Sequence, residues 1–147
     1  MLKNLTSEKL ISLQIDAVDW KDAIRHAALP LKNEHKIEQS YIEAIIESVN
    51  RHGPYFVLIP HVALPHARPE EGAIESAIGI ATLKNPVSFG NKENDPVRYL
   101  FCLSAKDSTS HIDALADLAN LFENKDFFDL LDTATDPKQI MNFLESM

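Results

Sequence analysis

The chain contains very little cysteine and glycine. Of its 147 residues one is a cysteine, Cys102, and four are glycines. A single cysteine excludes an internal disulfide, and the N-terminal residues lack the apolar core of a signal peptide, so we expect a cytoplasmic protein. The glycines are isolated and form no Gly-rich phosphate loop, which excludes ATP binding of the P-loop kind. No apolar run approaches the ~20 residues that a transmembrane helix needs.

Positive charge is also scarce. Lysine and arginine together number 14 against 22 aspartates and glutamates, which gives a formal net charge of −8. No basic block compensates locally, so the sequence argues against a nucleic-acid partner or an anionic membrane. The content of 45% hydrophobic and 24% charged residues is typical of a soluble globular protein. We expect one domain over residues 1–147.

Strand and helix patterns alternate along the chain. The clearest strand pattern is the aromatic-rich run over 97–104, and a proline at position 30 is expected to end the first helix. The mixture predicts an α/β domain with a mixed sheet of about five strands and helices on both faces. The other strands are predicted over 10–15 and 76–83, and the helices from Asp19 to Pro30, from Glu38 to Gly53, from about Ser110 to Phe122, over 125–131 and over 136–144.

Residues 57–69 combine proline and histidine in a way that favours a functional loop. Four of the eight prolines fall between 54 and 69, and two apolar runs end in Pro-His, at His61 and His66. Since proline fixes its own φ and biases the preceding residue towards extended backbone, we expect strand, turn, strand and then a stiff loop. That loop would carry His66 and Arg68, which suit an anionic group such as phosphate. Alternatively, Pro-His only marks turns at a sheet edge.

Chemistry at His66 needs a second group, and His111 is the candidate. A neutral imidazole is a competent nucleophile towards phosphorus near neutral pH. Ser110 and Asp113 have the spacing of a capping box, which places His111 in a first helical turn, where free N–H groups favour an anion. The two histidines could meet where strands end. Otherwise His111 is a surface residue of that turn.

A metal site is the competing interpretation of the same histidines. His52, His61, His66 and His111 could supply imidazoles, but neither an HExxH motif nor paired cysteines occur. Cys102 lies inside a strand, where a buried thiol is most often a core residue. We therefore predict neither a metal nor another cofactor. Three further arginines are interpreted as surface charges: Arg25, Arg51 and Arg98.

Three separated motifs resemble those of a known family. They are Gly53-Pro-Tyr with the apolar run after it, Ala63-Leu-Pro-His-Ala-Arg-Pro69, and Asn94-Asp-Pro-Val97. Their order and spacing are similar to those of enzyme IIA components of the bacterial sugar phosphotransferase system (PTS) of the mannitol/fructose type, closest to the ascorbate branch. Ser110-His111 lies where that family has a further motif, and the resemblance covers nearly the whole chain.

The resemblance implies a fold, a reaction and partners. The family fold is a mixed sheet flanked by helices. His66 matches the histidine that accepts a phosphoryl group from the phosphocarrier HPr and passes it to a cysteine of enzyme IIB, which serves the membrane component IIC. His111 matches a second histidine that orients His66 or stabilises the transferred group. Arg68 and Asn94 would be supporting residues.

We therefore expect a phosphohistidine carrier that serves uptake of a sugar such as ascorbate, without a cofactor. Two alternatives stay open. One is a regulatory domain that is phosphorylated but does not feed transport, and the other is a metal-dependent enzyme that uses His61, His66 and His111. Exposed apolar positions are compatible with a homodimer.

Overall fold

The computed structural model describes residues 2–147, which fold around one sheet. None of the helices in this range has the length and apolarity that a bilayer-spanning helix needs. One-turn 3-10 helices occur at Leu2–Asn4, Glu8–Leu10 and Pro69–Glu71. The longer elements are β1 (Ile11–Ile15), α1 (Trp20–Asn33), α2 (Gln39–His52), β2 (Val62–Ala63), β3 (Ala77–Val87), β4 (Val97–Ser104), α3 (Ser108–Phe122), α4 (Lys125–Thr133) and α5 (Pro137–Glu145).

The sheet is mixed, with strand order β1-β3-β4-β2. β1 is parallel to β3 and β2 is parallel to β4, whereas β3 and β4 are antiparallel. The described residues form four strands, not about five. The difference lies in the Pro-His segment, where β2 has only two residues and Ile59 reaches Val62 through an isolated bridge. Pro60 has no N–H group to donate, and His61 has a φ of +70°, so an extended strand does not continue through them.

Helices cover both faces of the sheet. Because successive side chains on a strand alternate, Phe101 and Cys102 of β4 point to opposite faces. Phe101 packs against Phe122 of α3, with 5.0 Å between the ring centroids. On the other face, Gly79 lies opposite Cys102, and a Cβ added there would lie 3.0 Å from the carbonyl oxygen of Ala27 in α1. The predicted α/β class with helices on both faces is confirmed.

The prediction that Pro30 ends the first helix is wrong. Helix α1 begins after Asp19, whose carboxylate accepts a hydrogen bond from the Asp22 N–H at 2.8 Å, and it continues through Pro30 to Asn33. Leu31 is fully buried in this helical continuation. Burying a leucine side chain contributes about 1.5–3 kcal/mol, which offsets much of the roughly 3 kcal/mol that a proline inside a helix costs.

Helix α3 begins two residues earlier than expected. The carboxylate of Asp107 accepts a hydrogen bond from the Ser110 N–H at 2.7 Å, so Asp107 is the N-cap and the predicted capping box of Ser110 and Asp113 is wrong. His111 still lies in the first turn. Its own N–H donates to the Asp107 carbonyl at 3.1 Å and is therefore not free to bind an anion.

Candidate active site

The loop that carries His66 is hydrogen-bonded to neighbouring backbone. Strand β2 pairs with β4, and the Leu64 N–H donates to the carbonyl of Phe56 at 3.0 Å. The Leu103 N–H, near the end of β4, donates to the carbonyl of Pro65 at 3.0 Å. The two residues that precede His66 are therefore held in place by the sheet and by the segment before it.

The residue that follows His66 is held by Tyr41 of α2. The Tyr41 hydroxyl lies 2.7 Å from the carbonyl oxygen of Leu103 and accepts a hydrogen bond from the Ala67 N–H at 3.1 Å. Burial raises the pKa of Tyr41 well above its usual value, so this hydroxyl remains protonated and can donate to Leu103. His66 thus lies between two anchored stretches of backbone, which gives its side chain the fixed position that group transfer needs.

The imidazole of His66 has one nitrogen committed and one available. Its Nδ1 lies 2.6 Å from the carbonyl oxygen of Leu64. A carbonyl only accepts hydrogen bonds, so Nδ1 carries the proton and Nε2 holds the lone pair in the neutral ring. Burial, and to a smaller extent the neighbouring His111, lower the pKa of His66, although the bond to Leu64 opposes them. The ring is therefore neutral near pH 7, with Nε2 as the nucleophilic atom.

The structure brings the two predicted histidines together. The ring centroids of His66 and His111 are 5.3 Å apart, and their planes are inclined by 51°. Tyr55 also packs edge-on with the His66 ring, with 6.0 Å between the ring centroids. These two contacts restrict rotation of the His66 ring. Of the two neighbouring rings, that of His111 lies closer to His66.

An open groove of about 830 Å³ runs past the two histidines. Its walls come from the C-terminal half of α2, the loop after β2 and the first turn of α3. Tyr55 and Ile112, which are 44% and 64% exposed, give it an apolar component. The polar residues of its lining are Glu47, Ser48, Arg51, His52, Arg68, Glu71 and Ser108, together with the two histidines.

Arg68 lies in this groove, as expected, but its guanidinium is already paired. The Arg68 Nε is 3.2 Å from Glu71 Oε1 and 3.6 Å from Glu70 Oε1. The Arg68 side chain is 76% exposed, so water screens these ion pairs and they hold it weakly.

Arg51 also lines the groove, and it is a surface charge as the sequence predicts, since 70% of its side chain is exposed. Its Nε lies 3.3 Å from Glu47 Oε1. A signal for this placement exists in the sequence, because positions 44, 47, 48, 51 and 52, all within α2, recur at the spacing of one helix face. The face could be recognised only once the position of His66 beside α2 was known.

Asn94 does not belong to the groove lining found among residues 2–147. Its Nδ2 donates to the carbonyl of Val57 at 2.9 Å, and its own carbonyl accepts from the His61 N–H at 2.8 Å. The His61 ring adds a bond from Nδ1 to the carbonyl of Pro96 at 2.8 Å. Asn94 and His61 therefore join the loop over 91–96 to the segment that precedes the loop carrying His66.

The metal alternative has no geometric support. In the part of the chain from Leu2 to Met147, no three His, Cys, Asp or Glu side chains are grouped so that they could hold a metal ion. Cys102 is fully buried, and burial raises the pKa of its thiol to about 12. The thiol is therefore protonated and unreactive at neutral pH.

A neutral imidazole at the wall of an open groove in an α/β domain is suited to accept a group from one molecule and to pass it to another. Comparison with known proteins specifies the family. Residues 4–147 match the family model "Phosphoenolpyruvate-dependent sugar phosphotransferase system, EIIA 2", and the chain belongs to this family. The protein is thus a phosphotransferase, an EIIA component of the sugar phosphotransferase system.

Individual relatives agree with this assignment. The ascorbate-specific PTS system EIIA component of Shigella boydii serotype 4 (strain Sb227) is 36% identical over 143 residues, which cover 97% of this chain and 93% of the relative. The solution structure of the mannitol-specific cryptic phosphotransferase enzyme IIA CmtB from Escherichia coli is 37% identical, with a TM-score of 0.88 over 99% of both chains. The fold recurs at 21% identity and a TM-score of 0.82 in enzyme IIAMTL of E. coli, solved in complex with phosphorylated enzyme IIBMTL, over 97% of this chain and 98% of that one.

Proposed function

We propose that this protein accepts a phosphoryl group from phosphorylated HPr on Nε2 of His66 and passes it to a cysteine of an enzyme IIB. The observation that carries the proposal is the bond from His66 Nδ1 to the Leu64 carbonyl at 2.6 Å, which leaves Nε2 as the nucleophilic nitrogen beside an open groove. The ascorbate-specific relative supports a sugar of the ascorbate type as the transported substrate. These proposed partners support a location in the bacterial cytoplasm, and residues 1–147 would act as one EIIA domain.

The transfer is an in-line displacement at phosphorus. The lone pair of His66 Nε2 forms the new N–P bond while the bond from phosphorus to the HPr donor breaks and its electron pair leaves with that donor. The His66 ring then has both nitrogens substituted and carries positive charge. The Leu64 carbonyl, already aligned with the Nδ1 proton, stabilises that charge without rearrangement. In the second step a cysteine thiolate of enzyme IIB forms an S–P bond while the N–P bond breaks, and the electron pair of the N–P bond returns to Nε2, which restores the neutral imidazole.

Groups around the groove stabilise the phosphoryl oxygens. His111, whose ring centroid lies 5.3 Å from that of His66, is positioned to orient the His66 ring or to donate to a phosphoryl oxygen. Arg68 supplies a positive charge two residues from His66, on the same groove. Asn94 would act indirectly, by holding the Val57 carbonyl and the loop next to it.

The test is intact mass, measured at neutral pH because phosphohistidine is acid-labile. Wild type, His66→Ala, His61→Ala and His111→Ala are each incubated with phosphoenolpyruvate, enzyme I and HPr. We expect one phosphoryl group on wild type and on His61→Ala, none on His66→Ala, and slower uptake by His111→Ala. His61→Ala is the matched control, because it removes an imidazole whose Nδ1 is bonded to Pro96 rather than facing His66.

Addition of an enzyme IIB completes the test. We expect the phosphoryl mass to leave this protein and appear on the cysteine of enzyme IIB. Phosphoryl uptake by His66→Ala would contradict the assignment of His66. Uptake by wild type without delivery to any enzyme IIB would favour the regulatory alternative over transport.

A further inference from the structure

Arg51 and Arg68, which line the groove beside His66, are each paired with a carboxylate. Arg68 Nε lies 3.2 Å from Glu71 Oε1, and Arg51 Nε lies 3.3 Å from Glu47 Oε1. Glu47 and Glu71 also line the groove. The positive charge nearest to His66 in sequence is therefore neutralised by carboxylates while His66 is unphosphorylated.

The Arg68 pair is built so that its two members can separate. The Arg68 side chain is 76% exposed and that of Glu71 is 33% exposed, so water screens their attraction. Glu71 has a second attachment, because its Oε1 also accepts the backbone N–H of Arg68 at 3.1 Å and caps the 3-10 turn Pro69–Glu71. The guanidinium can therefore leave while the carboxylate stays in place.

A phosphoryl group on His66 would compete for the guanidinium. Such a group carries about 1.5–2 negative charges near neutral pH and offers three acceptor oxygens. A guanidinium binds phosphate oxygens in a bidentate manner more strongly than it holds an exposed carboxylate through one nitrogen. Departure of Arg68 towards the phosphoryl group would remove the guanidinium that is paired with Glu71 in the same groove.

We propose that Glu71 is a positioning residue, which holds Arg68 while His66 is unphosphorylated and releases it to the phosphoryl group afterwards. The inference rests on the proposed function. Its consequence is a balance: Arg68 stabilises the phosphorylated form, whereas the anchored Glu71 carboxylate competes for Arg68 and repels the phosphoryl oxygens. The phosphoryl group is thus held tightly enough to be accepted and loosely enough to be passed on.

The substitution that tests this role is Glu71→Gln. Glutamine keeps an oxygen that can accept the Arg68 N–H, so the turn is retained, but it removes the negative charge. The matched control is Glu75→Gln, because the Glu75 carboxylate pairs with Lys36 at 2.6 Å and is absent from the groove lining among residues 2–147. The measured quantity is the equilibrium constant for phosphoryl transfer from HPr.

We expect Glu71→Gln to shift this equilibrium about two- to fivefold towards the phosphorylated protein, the range of an exposed ion pair. Glu75→Gln should leave it unchanged. In an Arg68→Gln background, Glu71→Gln should produce a clearly smaller shift, because the guanidinium for which Glu71 and the phosphoryl group compete is gone. In wild type, the NMR resonance of the Arg68 Nε–H should move when His66 is phosphorylated.

Each contrary result overturns a defined part of the inference. An unchanged equilibrium in Glu71→Gln, or the same shift with and without Arg68, would show that Glu71 does not act through Arg68. An Arg68 Nε–H chemical shift that stays the same when His66 is phosphorylated would show that the guanidinium is not released. A wild type that fails to take up phosphate refutes the proposed function and this inference with it, whereas a phosphorylated wild type with an unshifted Glu71→Gln refutes only the role of Glu71.

Discussion

Replacing Tyr41 by phenylalanine removes the hydroxyl group that holds the loop carrying His66. The buried hydroxyl donates to the Leu103 carbonyl at 2.7 Å and accepts from the Ala67 N–H at 3.1 Å. Phenylalanine fills the same ring volume, so the packing is retained while two backbone groups lose their partner. Each buried polar group left unsatisfied costs about 1–3 kcal/mol, and we expect Tyr41→Phe to lower the free energy of unfolding by about 2–4 kcal/mol.

Urea unfolding followed by far-UV circular dichroism measures this loss. The midpoint should fall while the slope of free energy against urea stays that of wild type. Because Ala67 adjoins His66, the rate of phosphoryl uptake should fall as well. Tyr55→Phe is the stability control. Its hydroxyl accepts from the Ser48 hydroxyl at 2.8 Å and donates to the His66 carbonyl at 3.4 Å, but the residue is 44% exposed, so water can replace both bonds and the loss should stay below about 1 kcal/mol. A Tyr41→Phe protein with the stability and uptake rate of wild type would refute this account of the loop.

Further predictions concern three histidines. Burial holds the pKa of His66 below its usual value, so phosphoryl uptake should persist below pH ~6.5. His111→Ala removes the repulsion between the two imidazoles, so the pKa of His66 should rise in an NMR titration of this variant. A lower pKa of His66 in this variant would contradict the sign of that repulsion. The unfolded chain binds more protons than the folded one in this range, so stability should fall as pH drops below ~6.5, and His66→Ala should flatten the fall in urea midpoints. His61→Ala should lose about 0.5–1 kcal/mol with its bond to Pro96 but keep normal phosphoryl uptake, and impaired uptake would assign His61 a role in transfer.

Local patterns were sufficient for much of the fold. Strand β4 has the predicted bounds, because an aromatic and apolar run between a proline and a polar segment has few other ways to bury its side chains. His66 and His111 meet because one follows β2 and the other follows β4, and these strands are parallel neighbours. Parallel strands end at the same edge of a sheet, so the sequence was able to predict the centre of the site.

Features that depend on long-range packing could not be predicted locally. The helix continues past Pro30 because Leu31 is buried. Its spacing from Ile24, Ala27 and Ala28 fits the same helix face, but only the tertiary packing decides whether its burial outweighs the cost of the proline. Arg51 lines the groove because α2 lies beside the His66 loop, and this depends on the hydroxyl of Tyr41 reaching both Ala67 and the end of β4. Asn94 lies outside the groove lining within residues 2–147, since its amide is occupied by the Val57 carbonyl.

The most direct test of the central claim is the identity of the phosphorylated nitrogen. Nitrogen-15 NMR of the labelled protein, phosphorylated by HPr at neutral pH, distinguishes the two nitrogens of each histidine ring. We predict phosphorus on Nε2 of His66, a retained proton on Nδ1, and an unphosphorylated His111 ring. Phosphorus on Nδ1 of His66, or on any other histidine, would contradict the claim that the Leu64 carbonyl selects the reacting atom.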